Sequence, residues 1–213
     1  MALEVRMLTV GPIAENCFVV RVEGSDRALV VDPGEEPDRI LAEVERTGAT
    51  VEAILITHCH FDHVGAVKPV AEATGAPVYC PEIEVPLLTD IMSFTMPGFG
   101  PYEGYEADHT LKGGETLELA GLELDVLFTP GHSPGHVTYS VRGEEAIFSG
   151  DVLFQGSVGR VDLPGGDGPT LLRSIQALLD SHGDETRVHP GHMGITTLGA
   201  ERATNPFLAS LAS

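Results

Sequence analysis

The chain has no apolar run near the roughly 18 residues needed to cross a bilayer, and its opening, MALEVRMLTVGP, carries neither the basic nor the apolar segment of a signal peptide. A membrane partner is not expected, and the cytoplasm is the simplest location. Basic side chains are scarce too. Lys and Arg number 12 against 32 Asp and Glu, a formal net charge of −20, so a nucleic-acid backbone would be repelled over most of the surface. Cysteine is limited to Cys17, Cys59 and Cys80, an odd count without zinc-knuckle spacing, which argues against a disulfide framework. The fold must therefore be held by packing, for which 42% hydrophobic residues in 213 suffice, and no linker interrupts a single expected domain, 1–213. What the chain does have is nine histidines in an anionic background.

Short β-branched runs, Glu4 to Val10, Cys17 to Val22 and Ala28 to Val31, are closed by turn residues and predict an antiparallel meander. From Pro37 the period changes: Ile40, Leu41 and Val44 share a helical face that Gly48 ends. Val51 to Ile56 reads as a buried strand feeding one helix from near Val64 to Gly75, with Val78 to Cys80 as the next strand. Residues 92–109 hold Gly, Pro, Phe and Tyr without a period, and a loop of that length is read as a flap. A second set of strands follows, Thr116 to Leu119, Leu122 to Phe128, Val137 to Val141 and Ala146 to Phe148, then a helix at Thr170 to Leu179, a short strand at Thr186 to Val188 and a closing helix at Leu198 to Ala203. Strands, helices, strands, helices predict an α/β fold with two facing sheets and helices outside, a four-layer αβ/βα sandwich.

The sequence Thr57-His58-Cys59-His60-Phe61-Asp62-His63 lies between the apolar strand and its helix. On an extended chain His58 and His60 point to one side and can reach one metal ion, while Asp62 and His63 turn into the helix and can serve a second. Cys59 and Phe61 face the other way, into packing. Two ions need further donors, and three more strand ends carry them next to glycine: Pro130 to His136, Ser149-Gly150-Asp151, and His189-Pro190-Gly191-His192. Ser133 is read as a turn residue and not as a nucleophile; His189 is read as structural, and His109 and His182 as surface residues.

The text His58-x-His60-x-Asp62-His63, followed by His132, Asp151 and His192, resembles the metallo-β-lactamase-fold hydrolases over almost the whole chain, and within them the short, single-domain glyoxalase II-like (hydroxyacylglutathione hydrolase-like) branch. Supporting phrases are Glu15-Asn16-Cys17, Val31-Asp32-Pro33-Gly34 and Gly159-Arg160-Val161-Asp162-Leu163-Pro164. The resemblance implies a first metal site of His58, His60 and His132, a second of Asp62, His63 and His192, and Asp151 as the bridge. It places Asp32 behind the ligands as a supporting residue. It also implies a dinuclear metal-dependent thioesterase for S-2-hydroxyacyl thioesters such as S-lactoylglutathione, with Asp62 both ligand and catalytic residue.

Two cations lower the pKa of a shared water to about 7 from roughly 15.7 in bulk, so hydroxide is available at neutral pH without a protein nucleophile. Imidazole and carboxylate without thiolate suit zinc first, with iron or manganese as further possibilities. Arg160 is the cation expected to meet a substrate carboxylate, and His136 is expected either at the substrate or behind a ligand. The expected partner is a small-molecule thioester. A sister branch, the persulfide dioxygenases, shares the histidine text with a single iron, but is expected to carry a cysteine where this chain has His136. A metal-stabilised binding module without activity would be expected to have a degenerate site. Glutathione conjugates are anionic, so in so acidic a chain Arg160 and the metals must carry the binding; without them a neutral or cationic thiol carrier fits better.

Overall fold

The computed structural model describes residues 2–211. The chain begins with three strands, β1 (Leu3–Val10), β2 (Glu15–Val22) and β3 (Arg27–Val31), paired antiparallel from Leu3↔Val22 to Val10↔Glu15 and then Phe18↔Val31. Helix α1 (Pro37–Thr47) starts on a proline, whose missing N–H costs nothing in a first turn, and ends on Gly48 in the left-handed region. Strand β4 (Thr50–Leu55) lies parallel to β3, then β5 (Val78–Pro81) parallel to β4.

The single helix expected after β4 is divided into α2 (Phe61–Val64) and α3 (Val67–Thr74). The reason is a redirected hydrogen bond. Ala66 N donates to Pro33 O at 3.0 Å, leaving the α-helical ladder to clasp the Asp32–Gly34 turn. That turn approaches so closely that a Cβ on Gly34 would come within 1.7 Å of the Asp62 carbonyl oxygen.

The stretch expected as a flap has more order than its composition suggests. It follows α4 (Val85–Thr89), begins within a 3-10 turn at Ile91–Phe94, and its last residue opens a strand, β6 (His109–Leu111), parallel to β5. Tyr105 N donates to Leu88 O and Asp108 N to Val78 O, and the rings of Phe99 and Tyr102 lie 4.9 and 6.0 Å from that of Phe61. His109 is exposed and stacks on Tyr79 at 4.4 Å.

The second sheet holds β7 (Thr116–Leu119), β8 (Leu122–Phe128), β9 (Val137–Val141), β10 (Ala146–Gly150), β13 (Arg187–Pro190) and β14 (Thr196–Thr197), in the order β14-β13-β10-β9-β8-β7. Between β10 and β13 run a small hairpin, β11 (Leu153–Phe154) with β12 (Ser157–Val158), and the helix α5 (Gly168–Ser181), N-capped by Asp167. The chain continues through α6 (Leu198–Thr204) to a 3-10 segment that buries Leu208 beside α5 and leaves Phe207 exposed.

Alternation along the strands builds three apolar layers between four structural ones. In β2, Cys17 and Val19 face α1 and α3, while Phe18 and Val20 face the second sheet; in β3, Ala28 and Val30 oppose Leu29 and Val31 in the same way. Phe18, Leu29 and Leu55 meet Val126, Tyr139 and Phe148 between the sheets, and Ile147 and Val188 meet Leu171, Ile175 and Leu178 of α5 on the far side. A strand buried on both faces reads as a continuous apolar run, as Ala53 to Ile56 does. The four-layer α/β sandwich expected from the sequence is the fold observed. Its functional consequence is that the ends of β4, β8, β10 and β13 open at one edge of the sandwich.

Candidate metal centre

The residues after β4 place three imidazole nitrogens at one point. His60 Nδ1 lies 2.8 Å from His132 Nε2, His58 Nε2 lies 3.1 Å from His60 Nδ1, and His132 Nε2 lies 3.2 Å from His58 Nε2. Burial pushes His58 well below the usual imidazole range, and burial with the neighbouring His132 takes His60 down to about 4. These are therefore neutral rings presenting lone pairs to one another. A divalent cation resolves that conflict: tetrahedral coordination at 2.0–2.1 Å separates ligand atoms by about 3.3 Å, close to what is found.

A second group forms alongside. His192 Nε2 is 3.3 Å and His63 Nε2 4.0 Å from Asp62 Oδ2. Asp151 stands between the groups, with Oδ1 at 3.3 Å from His63 Nε2 and Oδ2 at 3.4 Å from His132 Nε2 and 3.6 Å from His192 Nε2. Burial opposes ionisation of Asp151, but His63 and His132 outweigh it and hold the carboxyl well below its ordinary range. Asp151 Oδ1 and His63 Nε2 are both buried and have no hydrogen-bond partner. With His63 Nδ1 donating to Asp32, both atoms present lone pairs to one gap, a pairing that a shared divalent cation would satisfy.

Four of the five rings are turned by their other nitrogen. His63 Nδ1 donates to Asp32 Oδ2 at 3.0 Å, His132 Nδ1 to Arg160 O at 2.7 Å, and His192 Nδ1 to Ala14 O at 3.3 Å. His58 Nδ1 donates to Thr57 Oγ1 at 3.1 Å, and that hydroxyl donates to Asp32 Oδ2 at 2.6 Å. Asp32 also accepts Thr57 N, from a backbone at φ 48°, a left-handed position that Asp tolerates better than most residues. Asp32, His58 and His63 also lie within metal-ligand reach of one another, but these hydrogen bonds already engage the Asp32 carboxylate, so it acts as a holder.

His136 is where the structure departs from one expectation. It is fully buried, donates through Nδ1 to Thr129 Oγ1, and accepts the Asp151 backbone N–H on Nε2 at 3.0 Å. It stands behind Asp151 and does not face a substrate. Arg160 does line the cavity above the centre, yet its guanidinium is forked onto Asp162 by two 2.7 Å bonds. His189 packs between Phe148 and Phe18, with ring centroids at 4.9 and 5.6 Å, and both its nitrogens lack partners. His182 bonds Ser140 away from the site, and Cys59 is buried against Cys80 with sulfurs 3.4 Å apart.

Three supporting residues escaped the sequence reading as individuals. Glu84 is buried and accepts from Cys59 N, Ser133 Oγ and Gly135 N, tying the loop after β4 to the loop after β8. Glu15 is buried 3.8 Å from His63, and burial raises its carboxyl well above the usual range. Asn16 donates to Pro190 O and Met193 O, fixing the loop that carries His192. Glu84 has no local signal; Glu15 and Asn16 are polar residues opening an otherwise apolar strand, which is a visible anomaly. Gly191 is required by crowding, because a Cβ there would sit 2.3 Å from Asp151 Oδ1.

Above the donors lies a cavity of about 960 Å³ whose floor includes His60, Asp62, His132, Asp151 and His192. Among the described residues, no helix is long and apolar enough to cross a membrane.

Residues 10–192 match the family described as the Metallo-beta-lactamase superfamily. The chain is 41% identical to the probable metallo-hydrolase YqgX of Bacillus subtilis, covering 95% of this chain and 96% of that protein. It is 32% identical to the hydroxyacylglutathione hydrolase GloC of Haemophilus influenzae, covering 98% and 99%. Among solved structures, it superposes on the BLEG-1 B3 metallo-beta-lactamase with a TM-score of 0.91 at 38% identity, covering 97% and 100% of the chains. On TTHA1623 in a di-iron-bound form the TM-score is 0.80 at 43% identity, covering 96% and 100%. Family match, fold and converging donors agree: the chain belongs to the metallo-beta-lactamase superfamily and is a metal-dependent hydrolase.

Proposed function

We propose that the chain is a thioesterase of glyoxalase II type, hydrolysing S-2-hydroxyacyl thioesters such as S-lactoylglutathione to the free acid and thiol. The observation that carries this reading is the convergence of two donor sets, His58, His60, His132 and Asp62, His63, His192, on one shared carboxylate, Asp151. Two divalent cations held there would polarise the carbonyl and bring a coordinated water to a pKa of about 7. Zinc is the first expectation, and the di-iron-bound TTHA1623 supports iron as the alternative.

The chain's own residues do the rest. Asp62 lines the cavity, and although burial opposes its ionisation, His192 and His63 keep its carboxyl below the usual range. It is thus an anionic acceptor at neutral pH that orients the attacking water through a hydrogen bond and can take up its proton. Asp151 and the rings behind it are fixed by hydrogen bonds before substrate arrives, so little reorganisation is left for the reaction. GloC's name supports the thioester class. The similarity to BLEG-1 supports a second reading, hydrolysis of a β-lactam amide by the same centre. A mononuclear persulfide dioxygenase is favoured less, because this chain has His136 where that branch is expected to carry a cysteine.

The test is purified protein reconstituted separately with zinc, iron or manganese and assayed on S-lactoylglutathione, other thioesters, a chromogenic β-lactam, and a persulfide with oxygen monitored. Metal-dependent thioester cleavage abolished by Asp62→Ala, with two ions per chain by anomalous scattering, is the expected result. One iron per chain with persulfide-dependent oxygen uptake would overturn it, and faster β-lactam turnover would select the second reading.

A further inference from the structure

The cavity is divided by polarity. Its floor is the donor cluster, whereas its walls include Ile13, Phe94, Met96, Phe154, Leu163 and Met193. Phe94 and Met193 are each 53% exposed, and Met92 and Ile195, next to these wall segments, are exposed as well. Large apolar side chains left in water around one opening mark a surface that a ligand covers.

Charge points the same way. Arg160 is the one Lys or Arg lining the cavity among the described residues, and Asp162 occupies its fork. Lys68 pairs with Glu103 and Lys112 with Glu82, both away from the walls. A glutathione half carries two carboxylates and one ammonium, and the two acids would leave water for an apolar wall whose one cation is already paired with Asp162, under the field of a chain of net charge −20. A short 2-hydroxyacyl group suits the polar floor, so the group on the other side of the sulfur meets the walls.

We infer that the preferred substrate is a thioester whose thiol half is uncharged and apolar, held by Phe94, Met96 and Met193 at the mouth of the cavity. This rests on the thioesterase reading. Arg160 then serves the site through its backbone carbonyl, which holds His132, and not as a carboxylate receptor.

The experiment compares lactoyl thioesters of benzyl mercaptan, N-acetylcysteamine and glutathione by kcat/KM on metal-reconstituted wild type, Met96→Glu, Phe94→Ser and Arg160→Ala. In parallel, calorimetry measures binding of the non-hydrolysable benzyl and glutathione thioethers, a readout independent of turnover. The benzyl thioester is expected to exceed the glutathione one at least 10-fold, with Met96→Glu and Phe94→Ser erasing most of that margin and Arg160→Ala changing the glutathione value less than 3-fold. Equal or better use of the glutathione thioester, with a 10-fold or greater loss in Arg160→Ala, overturns the inference. If no thioester is cleaved, the thioesterase reading fails and the substrate claim falls with it, whereas cleavage accompanied by benzyl thioether binding no stronger than that of the glutathione thioether overturns this inference alone.

Discussion

The two sheets contribute to the centre in different ways. The first delivers His58, His60, Asp62 and His63 from a single junction, the eight residues after β4, where one change from extended to helical backbone aims all four. The second delivers His132, Asp151 and His192 one at a time from the ends of β8, β10 and β13. The local set shares one backbone junction and one outside holder, Asp32, which serves His63 directly and His58 through Thr57. A dispersed set depends on partners brought from elsewhere: Arg160 O for His132, His136 for the backbone of Asp151, Ala14 O and Asn16 for the loop of His192. The second half of the centre should therefore be more sensitive to changes outside the ligands.

The sharpest way to break this contrast is Asp151→Ala, because Asp151 faces both donor sets. Activity and metal affinity are expected to fall by more than the roughly 100-fold that loss of an outer partner can cost, with metal analysis showing fewer than two ions per chain. Retention of two tightly held ions would show that the two sets are independent. Glu84→Ala removes the carboxylate that ties the two loops together and strands its buried donors, so thermal or chemical unfolding should show a loss of about 3 kcal/mol. His136→Ala is expected to weaken metal affinity about 10- to 100-fold. If the contrast holds, Asp32→Asn, which supports the first half, costs less in the same competition assay.

His189 offers the smallest effect and a control on the other histidines. Burial, helped by Arg187, lowers it to about 4, below its unfolded value near 6.5. The unfolded chain thus takes up a proton that the folded chain refuses. The contribution of neutral His189 is complete above pH 6.5 and is lost as pH falls toward 4, amounting to about 2 kcal/mol at pH 5. His189→Leu should flatten that part of the stability profile by about this amount, measured as the difference from wild type in denaturant unfolding. An unchanged slope would mean that the ring is not held neutral by its aromatic cage.

These contrasts also explain what could be read in the sequence. The meander, α1, β4 and the layered packing follow from local period and from runs such as Val51 to Ile56, and the contiguous donor run announces itself by spacing. The dispersed donors His132, Asp151 and His192 are visible only because glycine and strand ends accompany each one. The division of the helix after β4 was hidden, since it depends on Ala66 N choosing Pro33 O. So was Glu84, whose three donors come from positions 59, 133 and 135. Strand β6 was lost inside a segment rich in turn residues, because its pairing with β5 is set by tertiary contact and not by propensity. The fork of Asp162 on Arg160 is two residues away in sequence, yet nothing local announces that the guanidinium turns toward it.

The grip of Asn16 on Pro190 O and Met193 O spans more than 170 positions of the chain. Asn16 N also donates to Gly191 O, and Glu15 forms an antiparallel β-bridge with His192. During synthesis the first hairpin leaves the ribosome with its acceptors still unmade, and they arrive only with the last strands. A contact of such separation closes late and slowly. The loop that carries His192 is thus anchored from the opposite end of the sequence, so the donor set Asp62, His63 and His192 is complete only when the first hairpin and the second sheet have met.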